Sequence, residues 1–237
     1  MPLPLYLAMT PTEISSAPSL PPHIAWMACH FSPGGTGLID TPAGLPEGAL
    51  LILDDSIPCD GHSASLVADS LRAVVTRFHC SGVLLDFQRP GNAQAAAIAA
   101  KLVNTLPCPV GVTPEYAAFL PCPVFLPPAP LHMPMSRYLR PWKSREIWLE
   151  AALCRELVTV TKRGTSFAGA DSQMDCGAGF YDELLCCRYL TAIGKERITF
   201  TLFDTSKSLK QKLELAAATG VTRAIGLYQE FGNSICT

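Results

Sequence analysis

Residues 81–90 read SGVLLDFQRP, and this stretch decides the fold. Val83, Leu84 and Leu85 form an apolar run that ends on Asp86, Phe87 and Gln88, before Arg89-Pro90-Gly91 breaks it. A short apolar run bounded by turn residues is a strand buried on both faces, as in a parallel sheet. A carboxylate at the end of such a strand is costly unless it is paired or functional. Side chains alternate along a strand, so Leu84, Asp86 and Gln88 share one face.

Runs of the same kind recur along the chain. LPLYLAM (3–9), HIAWMAC (23–29), ALLILDD (49–55), CPVGVT (108–113) and CPVFLP (122–127) read as doubly buried strands. ELVTVT (156–161), RITFTLF (197–203) and TRAIGLY (222–228) follow later. Between them, residues 63–79, 92–106 and 206–219 carry apolar positions at helical spacing, with Ser63 and Asn92 as caps and Gly220 as a C-terminal stop. The two PCPV repeats leave only about ten residues between their strands, too few for a full crossover helix. Residues 127–134 are proline-rich and read as loop.

Strand–helix–strand alternation over a whole chain implies a parallel sheet with right-handed crossovers. Eight such strands favour a closed (β/α)8 TIM barrel, distorted or incomplete around residues 115–180. The expected organisation is one domain over 1–237, with an antiparallel hairpin at 182–203 turning at Ile193-Gly194-Lys195.

Composition narrows the function classes. Of 237 residues, 49% are hydrophobic and 16% charged, which describes a compact globular protein. A net charge of −2 gives no electrostatic attraction to nucleic acid or anionic membrane, and neither is expected as a partner. No apolar run is long enough to span a bilayer. The N-terminal MPLPLYLAMTPTEI lacks a basic region and is broken by proline, so it does not read as a signal peptide. Ten cysteines contain no CxxC pair, so no zinc site is expected, nor any other metal or cofactor. They read as buried free thiols of a cytoplasmic protein. GxSxG, Walker A and Rossmann fingerprints are absent.

In a barrel, functional groups sit at the C-terminal ends of strands. That rule selects Asp54 and Asp55 after the third run, Asp86 and Gln88 after the fourth, Thr113 and Glu115 after the fifth, and Tyr228 and Glu230 after the last. Each has a structural alternative: Asp86 pairing with Arg89, Asp54-Asp55 opening a turn, Glu115 starting a helix, Tyr228 closing the barrel. The histidines have no ligand-like spacing and read as ordinary loop or core residues.

SGVLLDFQRP resembles the fourth-strand signature of family 18 glycoside hydrolases, DGxDxDxE followed by an aromatic and a proline. Ser81, Leu84, Asp86 and Gln88 fall on its four acidic positions, and only Asp86 keeps its acid. Residues 198–232 are similar to the ending of the family's bacterial members, including the spore-germination and spore-cortex branch. There a hairpin strand leads into an Asp-x-x-x-Ser-Leu-x-x-Lys helix and a final strand ending in an aromatic. The matching residues are Asp204, Ser208, Leu209, Lys212, Gly220 and Tyr228.

The resemblance implies a barrel acting on N-acetylglucosamine-containing glycans such as peptidoglycan. In the family, the acid at the position of Gln88 protonates the glycosidic oxygen. The acid at the position of Asp86 orients the substrate's acetamido group, which serves as nucleophile. An amide has no ionisable proton to give, so Gln88 binds sugar oxygens without acting as general acid. Losing that acid costs on the order of 10²–10⁴-fold in rate. The expectation is a glycosidase relative of weak or lost activity, or a non-catalytic glycan- or protein-binding barrel. Glu115 and Glu230 stand as possible substitutes for the acid, with Asp54, Asp55 and Tyr228 as substrate-binding residues.

Overall fold

The computed structural model describes residues 2–35, 37–39, 41–170 and 179–231. Eight parallel strands form a closed barrel. They are β1 (Leu5–Met9), β2 (Ile24–Phe31), β4 (Leu50–Asp54) and β5 (Gly82–Asp86), with a two-residue β3 (Leu38–Ile39) antiparallel to β2. β6 (Val110–Val112), β7 (Val124–Leu126), β8 (Ile147–Ala151) and β14 (Val221–Leu227) complete it. β1 pairs with both β2 and β14, which closes the ring. β9 (Arg155–Thr161), β10 (Gly164–Gly169), β11 (Phe180–Asp182), β12 (Cys187–Ile193) and β13 (Arg197–Phe203) make a separate five-stranded antiparallel sheet, ordered β10-β9-β13-β12-β11.

The helices form an outer layer. α1 (Pro11–Ser16), α2 (Ala64–Arg77), α3 (Ala93–Thr105), α4 (Pro114–Ala117) and α5 (Met135–Leu139) precede the side sheet, and α6 (Ser206–Ala218) and α7 (Tyr228–Phe231) follow it. α2 buries Val67, Ala68, Leu71 and Val75, and α3 buries Ala95, Ile98, Ala99 and Leu102. This is the i, i+3/i+4, i+7 stripe that faces a core. The Asn92 side chain caps α3 by accepting the N–H groups of Gln94 and Ala95 at 2.9 and 3.1 Å. The Ser63 side chain makes no such bond at the start of α2. α4 is a single turn, as the short spacing between the two PCPV repeats requires.

Alternation along each strand divides the apolar residues into two cores. Leu51, Leu53, Val83 and Leu85 point out to the helices. Tyr6, Leu50, Ile52, Leu84, Phe125, Trp148 and Ile225 fill the barrel. Trp148 is fully buried and lies across the interior, where a Cβ at Gly111 would overlap its ring. A glycine in the middle of β6 is therefore a packing requirement.

One expectation about the strands is corrected: ELVTVT is β9 of the side sheet, outside the barrel, paired antiparallel with β13, the RITFTLF arm of the expected hairpin. The seventh barrel strand is instead Ile147–Ala151, IWLEA, which the sequence reading passed over. It follows only the short α5 and a 3-10 turn at Arg140–Trp142, so no strong helical pattern announces it. The hairpin expected at 182–203 forms between β12 and β13, but as part of the larger sheet. Although β6 and β7 are only three residues long, the barrel closes through them.

The side sheet enters after β8 and returns into α6 over a buried ion pair. Lys212 Nζ lies 2.8 and 3.0 Å from the two Asp204 oxygens, and Ser208 Oγ donates to Oδ1 at 3.1 Å. The helix entry itself is a capping box, with the Thr205 side chain and Ser208 exchanging bonds.

Candidate functional site

The C-terminal ends of the barrel strands surround a cavity of about 460 Å³, within the range of small-molecule sites. Its floor is the upper part of the inner core, including Ile52, Leu84, Phe125 and Ile225. Its polar lining is Asp54, Asp55, Ser56, Asp86, Gln88, Arg89 and Glu150. The inward alternation that buries Ile52 and Leu84 carries Asp54 and Asp86 to the mouth two residues later. On β8 the same alternation puts Trp148 in the inner core and Glu150 in the cavity wall.

The acids are held differently. Asp55 is 3% exposed and accepts the backbone N–H groups of Gln88 and Arg89, one on each oxygen, at 2.9 and 3.0 Å. It fixes the loop after β5 and so aims Gln88. Thr113 supports that loop from the next strand end, donating to the Phe87 carbonyl at 3.1 Å. Asp54 pairs with His30 Nδ1 at 2.8 Å and accepts the Ser56 N–H at 2.9 Å. Ser56 Oγ lies 3.4 Å from the same His30 nitrogen. A catalytic triad needs its serine and its acid on opposite ring nitrogens, so this trio is not one.

Asp86 accepts a hydrogen bond from the Gln88 side-chain amide. Arg89 does not pair with it, since its guanidinium donates to the Ser56 carbonyl at 3.0 Å. Burial pushes the Asp86 carboxyl above its ordinary value; the Gln88 bond pulls it back and the Asp54 and Asp55 charges push it up again. Glu150 is shifted the same way, by burial first and then by Asp86 and Glu230.

The remaining candidates lie outside the cavity lining. The Glu115 carboxylate accepts the Gly91 N–H, and Glu230 accepts the Leu153 N–H at 3.1 Å. Tyr228 opens α7 and packs among apolar residues at the barrel's outer face. Sequence reading missed Glu150 because it missed the strand that carries it. The usable signal was alternation in IWLEA, where a tryptophan and a glutamate fall on one face. His30 also borders the site through Asp54, although it was read as an ordinary residue.

No family model matches the chain, and no curated protein is similar at a significant level. Solved structures do match. The Bacillus cereus spore cortex-lytic enzyme SleL superposes with a TM-score of 0.56 at 12% identity, covering 94% of this chain and 70% of that one. A GH18 chitinase from Cycas revoluta, crystallised with (GlcNAc)3, gives 0.59 at 11% identity, covering 98% and 97%. A chitinase from Chromobacterium violaceum gives 0.52 at 12% identity, covering 99% and 96%. At these identities the likeness is one of fold: the chain is a (β/α)8 barrel of the kind built by GH18 chitinases and spore cortex-lytic enzymes.

Proposed function

We propose that the protein binds N-acetylglucosamine-containing glycan, such as a peptidoglycan strand, in the barrel mouth, and that its glycosidase activity is weak. The observation that carries this reading is the Gln88 amide bonded to Asp86 inside the cavity. By its resemblance to the family signature Gln88 stands where that family keeps its proton donor, and an amide there binds oxygen without protonating it. The apolar floor and polar rim suit a sugar ring, whose faces are apolar and whose edges are polar. The Cycas chitinase similar to this chain was crystallised with (GlcNAc)3, which supports the choice of sugar.

A cytoplasmic location is part of the same proposal. Cys59, Cys80, Cys108, Cys122, Cys154, Cys186 and Cys187 are free thiols, and Cys176 and Cys236 lie outside the described residues. Burial pushes Cys80, Cys108 and Cys154 up to about 11 and Cys187 up to about 12, which leaves them inert. Such thiols suit a reducing compartment.

The test is to measure binding and product release with chitin oligomers and spore-cortex muropeptides for wild type, Asp86→Ala and Gln88→Glu. Wild type is expected to bind with little turnover, Asp86→Ala to lose binding, and Gln88→Glu to gain activity. Binding by none of the three removes the glycan reading and leaves a protein-binding barrel.

A further inference from the structure

Every acid around the cavity except one already has a partner. Asp54 is bonded to His30 and the Ser56 N–H, Asp55 to two backbone N–H groups, and Asp86 to Gln88. Of the sequence candidates for a substitute acid, Glu115 and Glu230 each accept a backbone N–H and stand outside the lining. Glu150 lines the same cavity as Asp86 and Gln88, and among the described residues its carboxyl has no hydrogen-bond partner. Its position is fixed from below. Trp148, two residues earlier on the same face, is wedged against Gly82 and Gly111, which holds β8 in register and Glu150 at the mouth.

We propose that Glu150 is the proton donor of this cavity and carries whatever glycoside hydrolysis the protein performs. The inference rests on the glycan reading above. Burial and the neighbouring Asp86 charge both favour the neutral carboxyl at Glu150, the form a general acid must have before reaction. In the first step the Glu150 carboxyl gives its proton to the glycosidic oxygen as the bond from C1 to that oxygen breaks. The alcohol leaves, and the substrate's acetamido oxygen bonds to C1, with Asp86 accepting from the acetamido N–H. Water then adds to C1 and gives a proton to the Glu150 carboxylate as the acetamido oxygen departs, which restores both the acetamido group and the acid. Gln88 holds Asp86 in place throughout.

The experiment compares wild type, Glu150→Gln and Glu150→Ala on two substrates, tetra-N-acetylchitotetraose and a 2,4-dinitrophenyl chitobioside. The dinitrophenolate group leaves without needing a proton. Calorimetry measures tetramer binding separately from turnover. Glu150→Gln is expected to bind the tetramer like wild type yet hydrolyse it about 10²–10⁴-fold more slowly. On the dinitrophenyl substrate its kcat/KM, which covers only the steps through departure of the leaving group, should fall about tenfold at most, and formate should restore part of the lost rate in Glu150→Ala. Wild-type hydrolysis should decline as pH rises, and that basic limb should vanish in Glu150→Gln, because it reports loss of the donor's proton. Equal losses of kcat/KM on both substrates, or none, overturn the assignment. Tetramer binding by wild type without any turnover overturns it too, while leaving the glycan reading intact. Absence of tetramer binding by wild type overturns both.

Discussion

Two regions of this barrel bury carboxylates, and they treat the charge in opposite ways. At the root of the side sheet, the side chains of Asp204 and Lys212 are 2% and 8% exposed. Lys212 meets both carboxylate oxygens, Ser208 donates to one, and the Cys154 N–H reaches the other at 3.4 Å. At the barrel mouth, Asp86 has a neutral amide and Glu150 has no partner. No described cation pairs with either, although Arg89 lines the same cavity. A buried acid supplied with a cation and hydrogen bonds belongs to the scaffold. One left uncompensated in a cavity is held ready for a ligand.

The largest effect should come from the compensated site. Lys212→Met leaves Asp204 buried without its cation and is expected to remove about 3–5 kcal/mol of unfolding free energy, read from urea denaturation. Adding Asp204→Asn to that variant should recover most of the loss, because no charge is then left unpaired. An unchanged urea midpoint for Lys212→Met would erase the contrast between the two regions. Ser208→Ala comes next, at about 1.5–3 kcal/mol for a hydrogen bond to a charged group, in the same assay.

The smallest effect has the opposite sign. Glu150 has a folded-state pKa raised above its unfolded value of about 4.3, so the native state keeps the proton to higher pH than the unfolded chain. The stability this group contributes is full below the unfolded pKa and is lost as pH rises through the folded one. Glutamine mimics the protonated form. Glu150→Gln should therefore melt above wild type at pH 7, with the difference closing below about pH 4. A Tm difference independent of pH would mean that the carboxyl is compensated after all.

Much of the barrel was legible in the sequence, for reasons that particular residues make plain. ALLILDD and GVLLDFQ are apolar on both faces, as only a strand covered inside and outside can be, and Asp54 and Asp86 fall on the inward face by alternation alone. Asn92 and Gly220 marked helix ends because their chemistry is local. The side sheet was harder. β10 is exposed along its whole length, so GTSFAG carries no burial pattern to read. IWLEA lost out to the more β-rich ELVTVT, and Glu150 went unseen with it.

The sequence by itself determined the elements whose partners lie within a few residues: buried strands, capped helices, and the acids at strand ends, including Asp86 beside Gln88. Tertiary structure alone decided what depends on residues far apart in the chain. β1 meets β14 to close the ring, and Asp55 is committed to the N–H groups of Gln88 and Arg89, over thirty positions away. The same closure brings Glu150 into the cavity of Asp86. The physical reason is that local pattern reports which face of a strand is buried, while the neighbours across the barrel are set only when the strands close into a ring.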